Sequence, residues 1–138
     1  MNDIYFYLVL SGALTLLLWL PYIVARLFLW GPATFVKNYP DNFPIESPQQ
    51  PLWAERAQRA HLNMVETMPA FIAVVLGASF LLANSATDMI AIAQWSAIFF
   101  WARVGHAVIY ILGIPYLRTP IYLLSWFAIL AIAARVVV

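Results

Sequence analysis

Apolar residues run along this chain in four long stretches, roughly Ile4 to Trp30, Met64 to Ala83, Met89 to Leu112 and Pro120 to Val138. A bilayer core of about 30 Å needs about 20 mostly apolar residues in helical form. Lipid leaves no unpaired backbone, so a span is a helix or part of a closed barrel. The stretches lack strand-like alternation, and four spans cannot close a barrel. The pattern predicts four transmembrane helices in one membrane domain covering residues 1–138.

Turn chemistry divides them. Gly31-Pro32 ends the first helix, Asn84-Ser85 parts the second from the third, and Gly113-Ile114-Pro115 ends the third. Pro120 suits the first turn of a helix, where a missing N–H costs least. Pro21, inside the first run, predicts a kink. The long connection, 31–51, carries Pro32, Pro40, Pro44, Pro48 and Pro51, a density that predicts extended or turn structure rather than helix. Leu52 to Asn63 is helical in pattern and predicts a projection of the second helix beyond the membrane.

Composition agrees. Only 9% of the 138 residues are charged and 64% are hydrophobic, against about 25% charged in a soluble domain. A net charge of +1 without Lys/Arg clusters argues against nucleic acid as a partner. Without cysteine there is no disulfide framework, thiol nucleophile or Cys-ligated zinc, and two histidines are too few for an all-His site; no metal is expected. The N-terminus lacks a basic region and cleavage site, so the first run reads as a retained span. Lys37, Arg56, Arg59 and Arg118, with Arg26 nearby, lie on one side; Arg135 and the terminal amine lie on the other. An excess of Lys/Arg marks the cytoplasmic face, which places the long loop and the 113–119 turn in the cytoplasm and both termini opposite.

Polar groups inside spans carry the functional signal, because a charge at the bilayer centre costs at least about 2.5 kcal/mol. On the second helix Arg59, Asn63 and Glu66 share a face, with Arg56 a turn earlier; on the third, Arg103, His106 and Tyr110 do so. Glu66 and Arg103 should lie at similar depth and can pair, with Asn63 bridging helices. Arg26, Arg56, Arg59, Arg103 and Arg118 then outnumber the one deep carboxylate. Converged on one cavity, they would bind an anion. The alternative reading of Arg56, Arg59 and Arg118 is plain headgroup snorkelling. The tryptophans read as packing or interface residues.

The stretch Arg59-Ala60-His61-Leu62-Asn63-x-x-Glu66 and the second signature, Arg103-x-x-His106-x-x-x-Tyr110, resemble the MAPEG superfamily, membrane-associated proteins in eicosanoid and glutathione metabolism. The likeness is to its microsomal glutathione transferases and prostaglandin E synthases. It implies a homotrimer of four-helix subunits that binds glutathione between neighbours, near the cytoplasmic face. Arg26, Arg59, His61, Asn63, Glu66, His106 and Tyr110 match glutathione-contacting positions, and Arg56 and Arg103 match structural arginines. Aligned on Arg-Thr/Ser-x-x-Tyr, Arg118 is the catalytic arginine, with Thr119 and Tyr122 beside the ligand. Aligned on Arg-x-Pro-Ile, that arginine's position falls on Tyr122. The interval from Tyr110 to Arg118 favours the first register. The implied activity is detoxifying glutathione transfer to a lipophilic electrophile, or peroxide reduction. The alternative is a non-catalytic lipid- or thiol-binding protein of the same fold.

Overall fold

The structure is a computed structural model that describes residues 2–37 and 49–137. Pro40, Pro44 and Pro48 of the long connection lie outside the described residues. Within them the chain is all-helical: α1 (Asn2–Leu17), α2 (Leu20–Trp30), α3 (Pro32–Val36), α4 (Leu52–Leu81), α5 (Ala86–Leu112) and α6 (Arg118–Val137). Four helical runs are long and apolar enough to cross a membrane: Asp3–Trp30, formed by α1 and α2 together, then α4, α5 and α6. The protein is an integral, multi-pass membrane protein built as a four-helix bundle.

The break between α1 and α2 follows from Pro21. It has no N–H for the carbonyl of Leu17, and its ring crowds that carbonyl, so α1 ends at Leu17. Trp19 N–H donates instead to Leu16 at 3.2 Å, a tighter turn. The extended reading of 31–51 fails at its start, where α3 forms. Pro32 occupies the first helical position, where its fixed φ favours a helix rather than breaking one. The helix that begins at Leu52 runs unbroken into the second span.

α5 is the central helix, packed against α1, α4 and α6, whereas α2 leans on α4. At mid-bundle the rings of Phe71 and Phe99 stack at 3.8 Å, 12° from parallel. Around them lie Met68, Val75, Ile92, Ala128 and Ile132, all buried. Large apolar side chains such as Leu16, Phe28, Phe80 and Leu112 point outward, as lipid requires. One end of the bundle is closed by charge. Ser85 caps α5, accepting from Asp88 N–H at 3.3 Å, and Asp88 pairs with Arg135 of α6 at 3.5 Å. The α5–α6 turn lies at the other end.

In lipid the packing gain comes mostly from dispersion contacts rather than from water exclusion. Phe71→Ala should therefore destabilise the detergent-solubilised protein by about 3 kcal/mol or more through the cavity it leaves. Phe80→Ala, on the lipid face, should shift the unfolding midpoint little. A thermal melt of both variants checks this.

Candidate active site

Arg103 is 1% exposed, the largest side chain so deeply buried. A guanidinium there needs partners, and α4 and α6 supply them. Its Nη1 donates to Asn63 Oδ1 at 3.1 Å and its Nε to Met64 Sδ at 3.2 Å. The guanidinium carbon lies 5.5 Å from the Tyr122 ring centroid, a cation–π distance. Nη2 is buried without a partner among the described residues. The expected pairing with Glu66 does not form. Glu66 is exposed on α4 and makes no ion pair with Arg103 among the described residues; Asn63, one turn earlier, makes the contact instead.

From Arg103 the cluster continues toward the α5–α6 turn. His106 is buried, its ring 5.5 Å from Tyr110 and 5.7 Å from Tyr122. The Arg118 guanidinium lies 5.3 Å from the Tyr110 ring centroid. Asn63, Arg103, His106, Tyr110, Arg118 and Tyr122 thus form one continuous patch across α4, α5 and α6. Thr119 is exposed in the first turn of α6. Beside the patch is a half-enclosed cavity of about 310 Å³, lined by Arg56, Tyr110, Arg118 and the turn from Gly113 to Tyr116.

The turn itself places Arg56. Gly113 ends α5 in the left-handed conformation, φ 72°, and Ile114 N–H returns to Ile109 at 3.0 Å, a motif that favours glycine. A Cβ at Gly113 would overlap the Arg56 guanidinium. That side chain lies against the C-terminal end of α5, where the helix dipole favours a cation.

The five arginines do not converge on one cavity. Arg56 and Arg118 do; Arg103 is buried between helices; Arg59 is exposed on α4. Arg26 is engaged on the α2 flank, donating to Gln58 Oε1 at 3.0 Å and lying 5.5 and 5.7 Å from the Tyr22 and Trp30 ring centroids. The Gln50 carboxamide, turned oxygen-inward, accepts from Arg26 Nε at 2.5 Å. His61 belongs to this second cluster, its Nδ1 2.9 Å from the Tyr22 hydroxyl. Sequence reasoning missed Tyr22, Gln58 and Met64, and read Gly113 as a helix end without the Arg56 side chain packed against it. The i, i+4 spacing of Tyr22 and Arg26 on α2 was the available signal.

Gly113→Ala should cost about 1–3 kcal/mol, from a left-handed alanine and the displaced Arg56. Adding Arg56→Ala should recover the overlap part and leave the backbone part. A double-mutant cycle in thermal melts should therefore show coupling above about 0.5 kcal/mol.

No curated protein and no solved structure matches the chain. The MAPEG family, however, matches it over residues 4–138, almost its whole length and all four spans. This family includes glutathione transferases and related membrane proteins. With the two signatures side by side on α4 and α5, and with the four-helix architecture, the match is conclusive: the chain belongs to the MAPEG family.

Proposed function

We propose that the protein is a glutathione-dependent transferase or peroxidase that activates the glutathione thiolate for attack on lipophilic electrophiles. The supporting observation is Arg118. Its guanidinium is exposed at the head of α6, stacked on Tyr110, with no carboxylate paired to it among the described residues. A free thiol has a pKa of about 8.5 and is mostly protonated at neutral pH; an adjacent guanidinium favours the anion. Arg118 supplies that charge, and Tyr122 and Thr119 supply hydroxyls within the same two turns of α6. Tyr110 lines the approach, and the buried His106 ring packs beside it.

In conjugation the thiolate forms a sulfur–carbon bond and the leaving group departs with its electron pair. In peroxide reduction the thiolate attacks oxygen, the O–O bond breaks and an alkoxide takes a proton. A second glutathione then reduces the sulfenic acid to disulfide and water. Lipophilic substrate reaches the site laterally from the bilayer.

The same reading proposes a homotrimer. Arg59 and Glu66 are charged groups on an outer helix face that includes Ala70, Ala73 and Gly77, also exposed. Charge facing hydrocarbon is costly, and small residues let a neighbouring helix approach closely. A neighbour on this face would add its α2 flank, with Arg26 and His61, to the tripeptide's contacts. Arg59, Asn63 and Glu66 would hold the peptide's charged ends, in a site facing the cytoplasm, with both termini opposite.

Mixing purified protein with glutathione at neutral pH should raise the ultraviolet absorbance of the thiolate. Arg118→Ala should abolish that signal and lower kcat/KM by about 10²- to 10³-fold, the scale for removing one preorganised electrostatic group. A thiolate signal that survives Arg118→Ala would exclude Arg118 as the activating residue; its loss in Tyr122→Phe would assign the role to Tyr122.

A further inference from the structure

The cavity at the α5–α6 turn holds more positive charge than thiol activation uses. Arg118 enters it from α6 and Arg56 from α4, beside the ring of Tyr110. The one ion pair among the described residues, Asp88 with Arg135, belongs to the opposite end of the bundle. The Arg56 guanidinium occupies the space that glycine leaves at position 113. Two cations therefore share a half-enclosed space of about 310 Å³.

The location narrows the chemistry. A turn joining two membrane spans lies at a membrane–water boundary. Ile114, Pro115 and Tyr116 form the cavity's outer wall, and the Tyr116 side chain, 91% exposed, stands clear of the protein as interfacial aromatics do. Exposed Leu112 and Leu117 flank the turn and offer an apolar surface to acyl chains. Guanidinium forks match the oxygens of phosphate groups, and basic pockets between membrane helices bind anionic headgroups.

We propose that this cavity is a binding site for a phosphate-class oxyanion, held by Arg56 and Arg118 and reached from the membrane boundary. The oxyanion comes either from an anionic phospholipid headgroup or from free phosphate. Because Arg118 is common to this site and to the proposed thiol site, occupancy of the two is mutually exclusive. That consequence alone rests on the glutathione reading.

Delipidated full-length protein in neutral detergent, titrated with phosphatidylglycerol or phosphatidylcholine and read by native mass spectrometry, tests the headgroup source. A thermal melt in millimolar inorganic phosphate, against chloride at equal ionic strength, tests the free ion. Preferential retention of phosphatidylglycerol supports the headgroup; stabilisation by phosphate alone supports the free oxyanion. In either arm Arg56→Gln and Arg118→Gln should each weaken binding about fivefold, and the pair about 25-fold. Arg118→Gln alters an exposed side chain, so it keeps the test decisive even if Arg56→Gln loosens the turn. No preference for either anion, or a preference unmoved by Arg118→Gln, overturns the site. Glutathione is absent from every arm, so a failed thiolate assay leaves this result standing, and the reverse also holds.

Discussion

The rest of the bundle is arranged around one buried cation. Arg103 lies on the central helix, in a setting where an unpaired charge costs several kcal/mol. It is tolerated because α4 and α6 each bring something to it: the Asn63 carbonyl and Met64 sulfur from one, the face of the Tyr122 ring from the other. A sulfur is a weak acceptor, and Nη2 has no partner among the described residues, so little stabilisation is in surplus. Sliding α4 or α6 by one residue along α5 would remove a contact and replace it with hydrocarbon. The register of three helices is thereby tied to a single side chain. His106 and Tyr110 follow at fixed intervals on the same face of α5.

That register also separates the two ends of the molecule. At one end Asp88 and Arg135 neutralise one another, and Ser85 caps the helix that carries Asp88. At the other, the C-terminus of α5 and the head of α6 meet across a turn that contains Gly113 and Pro115. The first attracts Arg56; the second carries Arg118. Both cations line one cavity with no acid paired to them among the described residues. Binding chemistry collects where the bundle has not already satisfied itself.

Much of this was legible in the chain. Apolar runs defined the helices because lipid permits few alternatives, and Pro21 and Gly113 marked a break and a cap through constraints local to one residue. Helical spacing put Arg103, His106 and Tyr110 on one face. It did not say which α4 side chain Arg103 would reach. Asn63 and Glu66 are three residues apart, about 4.5 Å of rise, and a choice that fine depends on the axial offset between two helices, which neither segment encodes. Arg26 was likewise visible as a charge but not as a partner of Gln58, which lies 32 positions along the chain. At Pro32 proline opens a helix rather than preventing one, because its ring disfavours helix interiors and suits helix starts.

The same geometry bears on the two possible registers of the α6 motif. Arg118 and Tyr122 are four residues apart on one helix, one above the other and about 6 Å apart along its axis. Whichever one stands at the family's arginine position, the other is a single turn away. Tyr122 brings a phenol but no charge, and its ring already lies over Arg103 and beside His106. Arg103 itself is spent on Asn63 and Met64 and is shut away from any ligand by burial. If a thiolate is stabilised on this patch of α4, α5 and α6, the cation free to do it is Arg118, and Tyr122 serves as the wall that holds Arg103 beneath it. An alignment that assigns the arginine's position to Tyr122 therefore does not empty the site of positive charge; it moves that charge one helical turn toward the membrane boundary.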